Sequence, residues 1–350
     1  MAATAKAIVV APDAENIIVA DAPILQIRDE YMIVKVHSVA LNPADWKRVV
    51  WDTLDPGTKI GCDYSGVVEK VGANVSKFKQ GDRVTGFVHG GDQTNHNNGA
   101  FGDYIEVKAA LQIKIPDSLS FEQAATLGVG IVTCGQGLYQ SLKLPLPGSP
   151  AAEPFPILIY GGSTATGVLG IQYAKASGLT VITTASPSNF EYLKSLGADA
   201  VFDYRSPTCG ADIRAFTKNK LKHAWDLSNG ELICTAALSD TESSVYGATN
   251  MPQTEISTLN PKVSGPLMTT AYDATGEDSM LMGQKVPGKQ EGFEHVSMFF
   301  ELSRKMLENG TLVPIKPTVN SGGSGLEGAI KGFELLKAGK VSATKLVYTL

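Results

Sequence analysis

The stretch Ile157-Leu158-Ile159-Tyr160-Gly161-Gly162-Ser163-Thr164-Ala165-Thr166-Gly167 decides the fold. Its first four residues are apolar without alternation, as in a short strand buried on both faces. The two glycines let the backbone turn sharply and come close to a ligand. A helix is expected over 168–177, stopped by Gly178, a residue suited to a helix C-terminus. A second strand is expected over 179–184. Strand, glycine turn, helix and strand form a βαβ unit, and therefore a parallel sheet. Ser163, Thr164 and Thr166 offer hydroxyls beside the amides of a helix N-terminus, which attracts an anion such as a pyrophosphate. The pattern departs from G-x-G-x-x-G and could be a plain glycine turn, but the flanking elements favour a dinucleotide site.

The end of the second strand bears on which dinucleotide. An Asp or Glu about 20 residues past the glycines normally holds a ribose 2′-hydroxyl. Here the chain reads Thr183-Thr184-Ala185-Ser186-Pro187-Ser188-Asn189, with no acid. A carboxylate would repel a 2′-phosphate, whereas Ser186, Ser188 and Asn189 can donate hydrogen bonds to one. NADPH is the expected cofactor, although no Arg or Lys stands in this segment. Ser186 or Ser188 could instead, or in addition, cap a helix over 189–196.

Outward from this segment the texture changes. Over 1–125 short β-type runs (7–10, 32–36, 64–71 and 102–107) are punctuated by Pro56-Gly57 and Gly90-Gly91, which suggests a barrel or sandwich. Leu144-Pro145-Leu146-Pro147-Gly148-Ser149-Pro150 reads as a stiff surface loop. There is no internal repeat. At 350 residues the chain is long for one domain, so two are expected. An apolar fraction of 43% and a charged fraction of 19% exclude a disordered chain. The formal charge of −5, with no basic stripe, gives no pull toward nucleic acid. No secretory signal is legible, and no run approaches the roughly 20 apolar residues of a membrane helix. A soluble cytoplasmic protein without a membrane partner is expected. Cys62, Cys134, Cys209 and Cys234 are scattered, which argues against disulfides and a zinc knuckle and for reduced, buried thiols.

Several further motifs lie in register. They are Asn42-Pro43-Ala44-Asp45-Trp46-Lys47, Gly61-Cys62-Asp63-Tyr64-Ser65-Gly66, Gly81-Asp82-Arg83-Val84, Gly99-Ala100-Phe101-Gly102 and Gly339-Lys340-Val341. Together they resemble the medium-chain dehydrogenase/reductase superfamily over nearly the whole chain. Asn-Pro-x-Asp-Trp-Lys, Gly-Gly-Ser-Thr-Ala-Thr, Ser-Pro-x-Asn-Phe and Phe202-Asp203-Tyr204 are similar to fungal trans-acting enoyl reductases. That family serves iterative polyketide synthases in secondary metabolism, as in lovastatin-type pathways. The resemblance implies an α/β protein with a GroES-like β-barrel domain (1–125), a Rossmann doubly wound parallel-sheet domain (126–295) and a return to the first domain (296–350), with a cleft between the domains. It implies that Ser163, Thr164, Ala165 and Thr166 hold the pyrophosphate, and that Ser186, Pro187, Ser188, Asn189 and Tyr204 hold the 2′-phosphate end. Asp45, Trp46, Lys47, Lys340 and Val341 complete the implied cofactor contacts. Leu127, Gly128, Val129, Gly130, Ile131, Val132, Thr133 and Cys134 would line an acyl channel, although a buried helix between the domains has the same composition.

Alcohol dehydrogenases of the superfamily carry Cys where this chain has Asn42 and His where it has Cys62, and the cysteine-rich lobe near 85–100 holds none. No metal is expected, since catalytic zinc wants three protein ligands. His89 and His96 sit in a Gly/Asn-rich loop and read as solvated. Without zinc the chemistry points to an activated C=C bond; the resemblance implies Lys47 as the catalytic residue, the alternative being an ordinary solvated lysine. The expected function is reduction, with NADPH, of an enoyl thioester tethered to the carrier domain of a polyketide synthase. The alternatives are an NADPH:quinone or enone reductase of free molecules, and a non-redox cyclase or scaffold. Monomer and homodimer are both open. Two stretches depart from the family pattern: 240–253 lacks a clear glycine-containing strand, and Val286-Pro287-Gly288-Lys289-Gln290 reads as a flexible excursion.

Overall fold

The computed structural model describes residues 5–23, 25–51, 54–281 and 283–350. The chain forms two compact units. The first takes the described residues up to Val132 together with Tyr272–Glu308 and Pro314–Leu350; the second is Thr133–Ala271 with Asn309–Val313.

The first unit is built on a seven-stranded sheet, and its centre is the ten-residue strand Tyr31–Ala40. One edge of this strand pairs antiparallel with Asp63–Val71, from Met32↔Val71 to Ala40↔Asp63. The other edge is shared. Its first half pairs with Tyr104–Lys108, and its last residues pair with the C-terminal strand Lys345–Thr349. Arg83–Phe87 and Gln112–Lys114 extend the sheet beyond Asp63–Val71. The strand is almost continuously buried rather than alternating, the pattern of a strand covered on both faces. Val34, Tyr64, Val68, Phe101, Phe333 and Tyr348 lie in one core, with Phe333 supplied by the helix Gly325–Lys337.

The second unit is a six-stranded, wholly parallel sheet. Its spatial order is Ala200–Asp203, Thr180–Ala185, Pro156–Tyr160, His223–Asp226, Ser244–Ala248, Val263–Met268. The first strand in sequence sits centrally and the order reverses between it and His223–Asp226, a doubly wound arrangement with a switch point where ligands bind. The edge strand Val263–Met268 carries Pro266, whose missing N–H is tolerated there.

The structure corrects three expectations. Ser244–Ala248, with Gly247, is a full strand in the stretch 240–253. The Ser/Thr-rich turn before it masks its start, since Ser239 Oγ accepts from the amides of Thr241 and Glu242. Residues 286–290 are anchored: Val286 closes a hairpin with Ser279, Gly288 N–H donates to Asp278 Oδ1 at 3.0 Å, and Gln290 opens a 19-residue helix. The chain rejoins the first unit at Tyr272 rather than at 296, because Tyr272 stacks on His89 and Lys108 Nζ donates to the carbonyl of Thr275. No described helix is long and apolar enough to cross a membrane.

Lys59 is buried at a bridge to Val9, and its ammonium has no hydrogen-bond partner among the described residues. Burial pulls its pKa down from 10.5 to about 8, partly offset by Glu106. Below about pH 8 the folded state carries a desolvated charge that the unfolded chain keeps in water, and the penalty vanishes above 10.5. Lys59→Met is expected to raise stability at pH 7 by about 1–3 kcal/mol. Thermal melts across pH 8 to 10.5 should show the gain shrinking. An unchanged melting temperature at pH 7 would count against this.

Candidate active site

In the second unit, Thr164 fixes the glycine turn. It caps the helix Ala165–Ala176, donating its hydroxyl to Gly161 O (2.8 Å) and accepting from Gly167 N (2.9 Å). The helix therefore starts three residues before the expected 168, and the Thr164 hydroxyl is committed internally rather than offered to a ligand. Gly161 has φ +87°, and a Cβ on Gly162 would lie 2.1 Å from Thr183 Oγ1. Ser163, Thr164, Ala165 and Thr166 keep partly exposed surface around this buried turn. A helix N-terminus beside a glycine turn, at the carboxyl end of a central strand, suits a pyrophosphate.

Sheet pairing brings the segments around Ser186 and Tyr204 together. Asp203 lies opposite Ala185 on adjacent parallel strands, so Ser186 and Tyr204 leave the sheet side by side. Ser186 precedes the short turn Pro187–Asn189, and neither Ser186 nor Asn189 makes a side-chain cap; the helix that follows is Phe190–Ser195. For Ser186 the capping alternative is thus not what this turn shows. Sequence reasoning missed Arg205. Its guanidinium is more than half exposed and grips Asp203 through Nε and Nη2, both at 2.9 Å. This bidentate pair holds the Asp203 carboxyl below its usual range. The segment 183–189 has no cation, but Arg205 stands two residues beyond the neighbouring strand Ala200–Asp203, paired with Asp203, and only the register between the two strands reveals its nearness.

In the first unit, the helix Pro43–Trp51 carries Asp45, Trp46 and Lys47. Asp45 is buried and accepts from Asn42 N–H at 2.7 Å, so it organises the helix entry rather than presenting itself to a ligand. Burial pushes its carboxyl up to about 7; the Asn42 amide opposes this, and nearby Asp63 adds to it. Lys47 is partly buried, and burial lowers its ammonium pKa. Trp46 lies under the Lys337 ammonium, 5.8 Å from the ring centroid, and Trp46 and Val341 pack on the same core; Lys340 is exposed.

The neighbouring Arg48 centres a buried polar cluster. Its Nη1 donates to His89 Nε2 (2.9 Å) and Gly90 O (3.0 Å), and its guanidinium lies 4.4 Å from the centroid of Tyr272. His89 stacks on Tyr272 at 4.5 Å, and burial lowers its pKa to about 4. His89 is therefore neutral, and Nε2 must be its acceptor because Arg48 can only donate. The expectation of a solvated His89 is corrected. His96 is exposed beside Asp55 at 3.3 Å.

The family's zinc position is filled by a different bonding pattern. Asp63 Oδ2 accepts from Asn42 Nδ2 (2.8 Å) and from the buried Lys345 ammonium, while Oδ1 accepts from Val129 N–H (2.6 Å). Burial raises the Cys62 thiol well above its usual range. These donors do not fit a metal. Among the described residues no group of three or more His, Cys, Asp or Glu could hold one.

The stretch Leu127–Cys134 forms the helix Gly128–Cys134 and is buried except at Val129, which alone keeps partly exposed surface. Cys134 Sγ lies 3.6 Å from Thr166 O.

Residues 28–117 match the family model for the alcohol dehydrogenase GroES-like domain, and residues 165–257 match that for zinc-binding dehydrogenase. A trans-enoyl reductase of Alternaria alternata is 44% identical over 99% of both chains. One from Cochliobolus carbonum is 49% identical over 78% of this chain and 91% of its own. Among solved structures, the CurK enoyl reductase superposes with a TM-score of 0.76 at 20% identity, covering 99% of each chain. An alcohol dehydrogenase superfamily protein from Novosphingobium aromaticivorans gives 0.79 at 20%, covering 99% of this chain and all of its own. A GroES-like unit joined to a doubly wound sheet with a glycine turn after its first strand defines an oxidoreductase of the medium-chain dehydrogenase/reductase superfamily. Enzymes of this kind usually bind a nicotinamide dinucleotide. Within the superfamily, the chain belongs to the trans-enoyl reductases.

Above about pH 7 the folded chain holds a buried Asp45 anion, whereas the unfolded group ionises in water from 3.8 upward, so this group lowers stability as pH rises between those values. Asp45→Asn keeps an acceptor for the Asn42 amide. It is expected to match the parent near pH 4 and to exceed it at pH 8 by about 1 kcal/mol or more. Denaturant melts at both pH values check this, and an equal difference at both would contradict it.

Proposed function

We propose that this enzyme acts in trans in the cytoplasm, reducing the α,β-double bond of an enoyl thioester carried on the phosphopantetheine arm of a polyketide synthase, with NADPH and without zinc. The observation that carries the reading is the closed Asp63 carboxylate. Both its oxygens are taken by Asn42, Lys345 and Val129, so activation of the substrate falls to hydrogen-bond donors rather than a metal. An alkene conjugated to a thioester suits that arrangement, because negative charge gathers on one oxygen as Cβ is reduced.

When bound, the nicotinamide supplies the hydride for Cβ. Ser163, Thr164, Ala165 and Thr166 hold the pyrophosphate through the turn and the amides of the first helical turn. Ser186, Pro187, Ser188, Asn189 and Tyr204 take the 2′-phosphate end, and Arg205 supplies the cation. Trp46, Lys340 and Val341 complete the contacts, with Asp45 acting through the helix it organises. Lys47 Nζ donates to the thioester oxygen and delivers the proton to Cα; its lowered pKa eases that transfer. Val129 meets the acyl chain, with the rest of Leu127–Cys134 packed behind it. The four reduced, buried thiols suit a cytoplasmic setting.

Consumption of NADPH with a crotonyl pantetheine thioester is the decisive assay, run beside a quinone and beside NADH. Turnover of the thioester with NADPH is expected. A preference for the quinone would make the enzyme a free-enone or quinone reductase, and no turnover of either would refute the redox reading. Arg205→Ala is expected to weaken NADPH binding about tenfold by fluorescence titration and to leave NADH binding unchanged, as befits one charge-assisted contact. Lys47→Ala should lower kcat/KM about a hundredfold; undiminished turnover would remove it from the mechanism.

A further inference from the structure

Asp63 and Lys345 are 282 residues apart in sequence, yet they form a salt bridge with almost no solvent exposure. Their bonds converge on one short piece of chain. Lys345 Nζ also donates to Thr126 O at 3.3 Å, and Asp63 Oδ1 accepts from Val129 N–H at 2.6 Å. The pair therefore grips the chain on both sides of Gly128, at the entrance to the helix Gly128–Cys134. Gly128 allows that approach. A Cβ there would lie 2.1 Å from Gly86 O and 2.6 Å from Asp63 Oδ1. The residue held most tightly, Val129, is the one residue of Leu127–Cys134 with partly exposed surface.

We propose that the Lys345–Asp63 pair is a positioning device that sets Val129 against the acyl chain and so determines which acyl chains the enzyme accepts. The acyl-chain half of this proposal rests on the reading of the enzyme as an enoyl-thioester reductase; the positioning half does not. An ion pair out of water has a narrow range of favourable geometries and resists displacement. Fixing both oxygens of Asp63 therefore fixes the Val129 amide, and a shift of about 1 Å in a group that touches substrate can change rates a hundredfold. Lys345 enters from the C-terminal strand, so the end of the chain takes part in shaping the substrate surface.

Removing one partner would strand a buried charge, and an Asn at 63 would keep an acceptor for the Val129 amide, so the test removes both with Asp63→Leu plus Lys345→Met. Hydrogen exchange over 127–132 should rise in this variant while exchange over 31–40 stays unchanged. The NADPH dissociation constant should also stay unchanged. The ratio of kcat/KM for a crotonyl against a long-chain, α-methylated enoyl pantetheine should shift by about tenfold or more, and Lys345→Arg should keep it. Should the double variant fail to fold, Val129→Ala should shift the same ratio with the pair intact. Unchanged exchange over 127–132 overturns the positioning role, and an unchanged ratio in folded double variant or in Val129→Ala overturns the selection role. If the parent enzyme reduces no thioester, the functional reading and the selection role fall together, and the exchange data still decide whether the pair holds Val129.

Discussion

A carboxylate cut off from water must have both oxygens satisfied inside the protein, and much of the first unit is arranged to do this for Asp63. Leaving such a charge unpaired costs several kcal/mol. Asp63 begins the strand Asp63–Val71, Lys345 begins the last strand, Asn42 precedes the helix Pro43–Trp51, and Val129 lies in the first turn of the helix Gly128–Cys134. Four distant segments are thus joined at one side chain. The shared edge of Tyr31–Ala40 matches this arrangement, since the C-terminal strand can reach Asp63 only by pairing beside Ala40, which itself faces Asp63.

The polar interior continues on the same helix. Asp45 turns inward to hold the amide of Asn42, and Arg48 turns inward to His89, Gly90 and Tyr272. Buried polar groups of this kind are tolerated where they find partners, as Arg48 does; Asp45 is satisfied at Oδ2 and has no hydrogen-bond partner at Oδ1 among the described residues. Lys47, between them, keeps partial access to solvent. The second unit distributes its polar groups differently. Its buried Asp226 accepts from the amides of Ser228 and Gly230 and from the Tyr246 hydroxyl, while hydroxyls gather where the strands end, at Ser163 to Thr166 and at Ser186 to Asn189. Backbone amides and side-chain hydroxyls meet there without an expensive buried charge.

The sequence was most informative where function and fold both depend on local geometry. A glycine turn between an apolar strand and a helix has few conformations, so Gly161 to Thr166 could be read directly, and the missing acid after Ala185 could be read as well. The helix start was misplaced by three residues because Thr164 serves as the cap, which composition alone does not distinguish from a ligand-facing hydroxyl. Arg205 escaped notice because its relation to Ser186 exists only through the pairing of Asp203 with Ala185. His89 was misread for the opposite reason. A Gly/Asn-rich loop suggests exposure, yet Tyr272, 183 positions away, covers the ring.

By itself the sequence determined the two-part architecture, the parallel sheet and the glycine turn, and its ordered motifs carried the resemblance to a reductase superfamily. The architecture, the sheet and the turn follow from short-range patterns: periodicity, turn residues and helix termini. Only the tertiary structure decided what the charged and polar side chains do. It made Asp45 a buried helix organiser and Val129 the one partly exposed member of its stretch, and it closed Asp63 with a lysine near the end of the chain. The physical reason is that burial and ion pairing depend on neighbours in space. Residues such as Asp63 and Lys345 carry no mark in sequence that they will meet.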